Sequence, residues 1–84
     1  MVYQVIIRKR VIKTLSKINE PHYSNIKAAI IKLADNPRPP GYIKLKEHEG
    51  YRIRVGDYRI IYDILDNILL VEVIELGHRR EIYG

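Results

Sequence analysis

The segment YRIRVGDYRIIYDI, residues 51–64, decides the fold. On either side of Gly56-Asp57 lies a stretch in which the character of the side chains alternates from one residue to the next. A two-residue loop of the Gly-X kind between such stretches predicts a β-hairpin with a type II′ turn. In that register Arg54 lies directly across from Arg59. The segment therefore predicts two antiparallel strands with a defined pairing.

The two faces of this hairpin differ in chemistry. One face is apolar and aromatic and is predicted to belong to the core; it carries Tyr51, Ile53, Val55, Tyr58, Ile60 and Tyr62. The other face carries Arg52, Arg54 and Arg59. Like charges directly across from each other destabilise a sheet, so the stability of the fold does not require these arginines. Guanidinium groups offer forked donors that match phosphate oxygens, and the cluster predicts a phosphate site.

Two simpler interpretations of the arginines stay open. Arginines on a solvated face cost little, because salt screens their repulsion. A carboxylate can also neutralise them, and Glu72 falls on this face if the next hairpin turns at Asp66-Asn67. A single arginine is explained equally well by these simple interpretations and by a phosphate site, whereas three that converge favour the phosphate site.

The rest of the chain predicts a small α+β fold of order β-α-α-β-β-β. VYQVIIR at the N-terminus is typical of a strand. Two amphipathic helices follow, the second opened by Pro21 and ended by the prolines of DNPRPPGY. Their apolar stripes are Val11, Leu15 and Ile18, and then Ile26, Ile30 and Leu33. From Tyr42 onward the period is two, with a short basic strand, YIKLKE, before the hairpin and ILLVEVIEL after it. We expect a helical hairpin on one face of a mostly antiparallel twisted sheet.

Composition limits the function. The 84 residues suit a single domain, 1–84, with a small core. The net charge of +5 and pI near 9.6 favour an anionic partner. The chain lacks cysteine, which excludes disulfides and thiolate metal sites. The N-terminal apolar run is too short for a signal peptide, and no stretch is long enough to span a membrane. We expect a soluble, cytoplasmic protein.

The tail GHRREIY supplies further candidate site residues for the hairpin face that carries Arg52, Arg54 and Arg59. His78, Arg79, Arg80 and Tyr83 follow the last predicted strand, beside the hairpin. Histidine can move protons near neutral pH, and tyrosine can stack on a base. The three histidines are scattered without the spacing of metal ligands, so no metal and no cofactor are expected. The pattern favours phosphodiester chemistry on RNA.

The segments YRIRVGDYRIIYDI and VEVIELGHRREIY resemble the RelE/ParE superfamily of bacterial and archaeal toxins, in its RelE-like branch. The resemblance covers nearly the whole chain, including NPRPPGYIKLKE and the terminal tyrosine. It implies a type II toxin encoded beside an antitoxin that silences it. RelE-like members cut mRNA in the ribosomal A site, where the ribose 2′-hydroxyl attacks the adjacent phosphate and leaves a 2′,3′-cyclic phosphate.

The resemblance also implies roles for individual residues. Arg52 and Arg54 match basic residues of the central strand that grip mRNA and assist proton transfer. Arg59 matches the arginine that stabilises negative charge developing on phosphorus. Arg79 matches a tail arginine near the scissile phosphate, and Tyr83 matches the tyrosine that positions the cleaved nucleotide. Additional RNA contacts are expected from Arg80, Lys44 and Lys46.

This chain departs from many relatives in having arginines where they have lysines on the central strand. Arginine stays protonated up to about pH 12 and is a poor general base, so another group must accept the proton. His78 is the candidate by residue type. The short tail also leaves open whether Arg79 or Arg80 occupies the catalytic place.

The expected partners are the ribosome with its mRNA and an acidic, RelB-like antitoxin laid over Arg52, Arg54 and Arg59. An alternative function is that of a ParE-like toxin, which inhibits DNA gyrase and has no nuclease activity. A third is a folded, non-toxic relative that only binds its partner.

Overall fold

The computed structural model describes residues 2–46 and 50–78. The chain forms five strands, two helices and one short 3-10 turn in the described part. The strands are β1 (Gln4–Ile7), β2 (Ile43–Lys44), β3 (Tyr51–Val55), β4 (Tyr58–Leu65) and β5 (Leu70–His78); the helices are α1 (Lys9–Ser16) and α2 (His22–Lys32); the 3-10 turn is Asp66–Ile68.

The five strands form one mixed sheet in the order β1-β5-β4-β3-β2. β1 pairs with β5 in parallel, and the other three pairings are antiparallel. The predicted α+β class and the mostly antiparallel sheet are therefore confirmed, but the sheet has one strand more than the predicted order β-α-α-β-β-β. The basic strand predicted over YIKLKE is reduced to the two residues of β2, which pair with β3 at the edge of the sheet.

The central hairpin has the predicted register. Arg54 pairs with Arg59 and Ile53 pairs with Ile60, on either side of the Gly56-Asp57 loop. Gly56 has φ 60°, a backbone conformation that a residue with a Cβ adopts only at a cost. Asp57 has no positive φ, so the turn is of the type II′ kind rather than type I′.

Both helices pack on one face of the sheet. Val11 of α1 and Ile26 and Ile30 of α2 are buried, as is Leu33 just after α2. They meet the apolar face of the sheet, whose buried members are Ile53, Ile60, Tyr62, Ile64, Val71, Val73 and Leu76. Burying each such side chain contributes about 1.5–3 kcal/mol, so this one layer supplies most of the stability. Ile18, predicted within the first helix, lies beyond its end at Ser16 but still packs against the core.

The last strand differs from its prediction at both ends. The connection from β4 runs through the 3-10 turn and Leu69, which has φ 52°, and β5 begins at Leu70. β5 then continues to His78, so Gly77 and His78 belong to the sheet rather than to a tail. The β4–β5 ladder also contains a bulge: Val73 pairs with Tyr62, but Glu75 pairs with Ile61, which leaves Ile74 as an extra residue.

Polar contacts hold the segment after α2 against the sheet. The Tyr62 hydroxyl donates to the carbonyl oxygen of Pro37 at 2.7 Å, and burial raises the pKa of Tyr62 to about 12. Arg38 forms an ion pair with Asp66 at 2.9 Å and also donates to the Tyr51 hydroxyl at 3.3 Å. None of the helices in the described ranges is long and apolar enough to cross a membrane.

The contacts of Asp66 predict that the stability of the fold depends on pH in the acid range. Hydrogen bonds from Arg38 and from the Tyr3 hydroxyl lower the pKa of Asp66 in the folded protein. A lowered folded-state pKa stabilises the protein above the ordinary aspartate pKa of about 3.9, and this stabilisation is lost as the pH falls through the folded-state pKa. We expect Asp66→Asn to lower the urea midpoint at neutral pH and to change it little in strong acid.

The measurement is a series of urea melts of both proteins from about pH 7 to about pH 2. Wild type should lose more stability on acidification than the variant. Some acid dependence should remain in Asp66→Asn, because bonds from Ser24 also lower the pKa of Glu20. Two parallel curves across the whole pH range would contradict the assignment to Asp66.

Candidate active site on the arginine face

Arg52, Arg54 and Arg59 lie on the sheet face opposite the helices, which we call the arginine face. Side chains alternate along a strand, and Ile53 and Ile60 point to the helices, so their arginine neighbours point away. Arg54 and Arg59 are direct cross-strand partners. Arg52 lies on the same face and is the cross-strand partner of Ile61. The predicted convergence of the three positions is confirmed.

The three arginines differ in their surroundings. Arg54 is exposed, and its Nε donates to the carbonyl oxygen of Gly56 at 3.0 Å, which fixes the side chain beside the turn. Arg52 and Arg59 are half-buried. The Nε and Nη1 atoms of Arg59 are shielded from solvent. Arg59 is therefore the most enclosed of the three guanidinium groups, where a charge interacts more strongly than it does in bulk water.

Among the residues that the structure describes, three carboxylates share this face: Asp63, Glu72 and Glu75. Glu72 pairs with Asp63 across the β4–β5 ladder, which confirms that Glu72 is on the arginine face. Its side chain forms an ion pair with Arg8 at 2.9 Å, so Glu72 neutralises a cation next to β1. Glu75, on the other side of the bulge, lies 3.7 Å from Arg10.

His78 is not on the arginine face. It pairs with Tyr58, whose side chain points to the helices, and the two rings meet edge to face with centroids 5.7 Å apart. His22, the first residue of α2, also contacts the Tyr58 ring, with the two ring centroids 5.6 Å apart. The prediction that His78 reaches the arginine face is wrong, because His78 lies on the helix side of the sheet. The bulge at Ile74 is the reason, because it reverses the alternation of β5 beyond that point.

The remaining predicted site residues are two lysines and three residues of the C-terminal tail. Lys44 pairs with Tyr51 on the helix side, with its Nζ 5.3 Å from the centre of the Tyr51 ring. Lys46 follows β2 and is exposed. Arg79, Arg80 and Tyr83 lie outside the described residues. Within residues 2–46 and 50–78, no three histidine, aspartate or glutamate side chains are grouped so that they could hold a metal ion.

Two features of the site were not predicted from the sequence. One is Glu75, which a strict alternation from Glu72 places on the core side. The other is the position of Arg10, whose Nε donates to the carbonyl oxygen of the bulge residue Ile74 at 2.9 Å. No local signal in VEVIEL marks the bulge, so only the paired structure reveals either residue.

A helical hairpin on one face of a five-stranded mixed sheet is the fold of RelE toxins of known structure. The chain is similar to RelE in the RelE–RelB complex of Pyrococcus horikoshii OT3, with a TM-score of 0.85 and 31% identity over 96% of this chain and 99% of that one. It is also similar to the isolated RelE toxin of Escherichia coli, with a TM-score of 0.77 and 26% identity over 96% of this chain and 90% of that one.

The sequence comparisons agree with the fold. The family model of the ParE toxin of the type II toxin-antitoxin system parDE matches residues 5–83. A protein of Methanocaldococcus jannaschii named as a toxin, RelE1, is 33% identical over 96% of this chain and 93% of its own length. The chain therefore belongs to the RelE/ParE superfamily of type II toxins.

Proposed function

We propose that this chain is a ribosome-dependent mRNA endoribonuclease that cuts mRNA in the ribosomal A site and thereby inhibits translation. The observation that carries the proposal is the in-register pair of Arg54 and Arg59, with Arg52 on the same face. Repulsion between them is relieved when an anion binds between the guanidinium groups. A phosphodiester is an anion of the right shape for such forked donors.

In the proposed reaction the ribose 2′-oxygen attacks the adjacent phosphorus and displaces the 5′-oxygen. The products are a 2′,3′-cyclic phosphate and a free 5′-hydroxyl. Arg52 and Arg54 hold the phosphate backbone. Arg59, the most enclosed of the three, stabilises the negative charge that grows on the phosphoryl oxygens. A fixed guanidinium is suited to this role because it does not have to reorganise as the charge appears.

The other predicted residues complete the proposal. Arg79 or Arg80 contributes a further cation near the scissile phosphate, and Tyr83 positions the cleaved nucleotide. Lys44 and Lys46, at the β2 edge, contact RNA at a distance from the reacting bond. A role for His78 in proton transfer stays a prediction, and the position of His78 on the helix side requires the substrate to reach both faces of the sheet.

The test is to induce the chain in cells and to map the 5′ ends of mRNA by primer extension. We expect cuts inside translated codons, which disappear when Arg52, Arg54 and Arg59 are all replaced with alanine. Lys13→Ala is the control for each single Arg→Ala replacement, because it removes one exposed positive charge from α1. Uncut mRNA after induction of a wild-type protein that arrests growth would reject the nuclease function.

A ParE-like function is the second candidate, since the matching family model is that of the ParE toxin. In this case the protein binds DNA gyrase and the arginines serve as contacts. Growth arrest with intact mRNA and a DNA-damage response would identify it. Normal growth on induction would instead indicate a relative that only binds its partner.

The partner we propose is an acidic, RelB-like antitoxin that covers the arginine face. RelE–RelB complexes from two archaea have the same toxin fold, which supports an antitoxin partner here. The charge of the arginine face favours an acidic segment over a neutral one, because complementary potentials speed association and specify the partner.

The antitoxin contact predicts a salt-dependent affinity. We expect Arg54→Ala to weaken binding of the antitoxin about tenfold or more, and higher salt to weaken wild-type binding in the same direction. Titration of the purified proteins by calorimetry at two salt concentrations measures both effects. Lys13→Ala should bind like wild type. Equal affinities for wild type and Arg54→Ala would place the antitoxin on another surface.

A further inference from the structure

The arginine face has cations that can hold a phosphate, but its arginines cannot accept the proton of an attacking hydroxyl. A guanidinium is protonated up to about pH 12. His78, the candidate by residue type, is paired with Tyr58 on the helix side. A proton acceptor on the arginine face itself must therefore come from a different residue.

Three described carboxylates are on this face, and the strand register ranks them. Arg59 is paired with Gly77, and two residues along each strand Ile61 is paired with Glu75. Glu75 is thus the diagonal neighbour of Arg59, at about 7–8 Å between backbone positions. Asp63 and Glu72 are paired with each other one step further away, beyond the bulge. Of these three carboxylates, Glu75 is the closest to the arginines along the sheet.

The contacts of the three carboxylates give the same ranking. Glu72 is held by the 2.9 Å ion pair with Arg8. Asp63 accepts a hydrogen bond from the backbone N–H of Ile64 at 2.9 Å. Glu75 is 3.7 Å from Arg10, too far for a hydrogen bond, and its side chain is 41% exposed. Its carboxylate is accessible and only loosely held.

The residues beside Glu75 on the neighbouring strands form a surface on which a ribose can lie. Arg52 on β3, the half-buried Ile61 on β4 and Glu75 on β5 are neighbours across the sheet. A phosphate between Arg54 and Arg59 would lie next to Ile61, whose side chain offers an apolar surface for the attached sugar. The charged groups that face Glu75 are Arg10 from α1, Arg52 from β3 and Arg59 diagonally from β4, with Glu72 on its own strand.

We propose that Glu75 accepts the proton of the attacking 2′-hydroxyl; this assignment rests on the proposed nuclease function. The 2′-oxygen loses its proton to a carboxylate oxygen of Glu75 and forms a bond to phosphorus. The bond between phosphorus and the 5′-oxygen breaks, and the 5′-oxygen takes a proton from water. The hydroxide left behind removes the proton from Glu75, so charge and atoms balance and the carboxylate is restored.

The test compares Glu75→Gln with wild type in single-turnover cleavage of mRNA on purified, programmed ribosomes across a range of pH. We expect Glu75→Gln to cleave about 10²–10⁴-fold more slowly and to lose the acid limb of the pH–rate profile. Glu75→Asp, which keeps the carboxylate, should be slow but should retain that limb. Binding to the ribosome should be unchanged or tighter, because the variant removes one negative charge.

Glu72→Gln is the matched control, because it makes the same substitution on the same strand and face. It should cleave close to the wild-type rate, and thermal melts should show that all variants are folded. A Glu75→Gln protein that cleaves like wild type, or that is slow with its acid limb intact, would overturn the assignment. Loss of the acid limb in His78→Gln alone would overturn it in favour of histidine. Wild-type protein that does not cleave at all would instead reject the nuclease function, and the role of Glu75 with it.

Discussion

Replacing Arg59 with alanine is expected to lower the rate of mRNA cleavage about 10²–10³-fold, which is the usual effect of removing one preorganised donor to a developing oxyanion. Arg59 is the expected site of the largest loss because its guanidinium is the most enclosed of the three, with Nε and Nη1 shielded from solvent. The measurement is single-turnover cleavage on programmed ribosomes at saturating toxin, which separates the chemical step from binding.

Two controls separate catalysis from charge. Arg59→Lys keeps the positive charge but lacks the forked donors. This variant should therefore bind the ribosome like wild type but cleave mRNA at only part of the wild-type rate. Lys13→Ala lowers the net charge by the same amount on α1 and should cleave like wild type. If Arg59→Ala and Lys13→Ala lose activity to the same extent, the arginine acts only through net charge.

Replacing Ile60 with alanine is expected to cost about 2–5 kcal/mol of unfolding free energy, because the side chain is removed from a filled core. Ile60 is fully buried and pairs with Ile53 and with Leu76 on the two neighbouring strands. A domain of this size has a total stability of roughly 4–13 kcal/mol, so the loss is a large fraction of it. Urea unfolding followed by circular dichroism measures the change.

Ile43→Ala is the control for Ile60→Ala, because Ile43 is 47% exposed at the β2 edge and its loss should change stability by less than about 0.5 kcal/mol. A small effect of Ile60→Ala would mean that the core relaxes to fill the cavity. Ile60 and Arg59 are adjacent in the chain but face opposite sides of the sheet. Ile60→Ala should therefore impair folding, and with it antitoxin binding and toxicity, whereas Arg59→Ala should leave a folded, inactive toxin.

The local patterns that predicted the fold share one property: each depends on neighbours in the sequence. The Gly56-Asp57 loop sets the register of β3 and β4, since a two-residue turn leaves only one pairing of the flanking strands. The apolar stripes of the two helices set the face that they bury. These patterns were sufficient to predict the fold class and the arginine face, including the pairing of Arg54 with Arg59.

The tertiary structure decided what the last strand contributes to each face. Alternation along a strand holds only while the ladder is regular, and the bulge at Ile74 inserts one residue that has no partner. Before the bulge Glu72 is on the arginine face, as predicted; after it, Glu75 is on that face and His78 is on the helix side. The carbonyl of Ile74 accepts from Arg10, a residue more than sixty positions away in the chain.

The sequence by itself therefore determined the fold class, the hairpin register and the positions of Arg52, Arg54 and Arg59, because turn chemistry and side-chain period are local. Only the tertiary structure decided that Glu75 shares the arginine face and that His78 does not. A one-residue shift in pairing reverses every later side chain of a strand, and the contacts that stabilise this shift, between Arg10 and β5, are distant in the sequence.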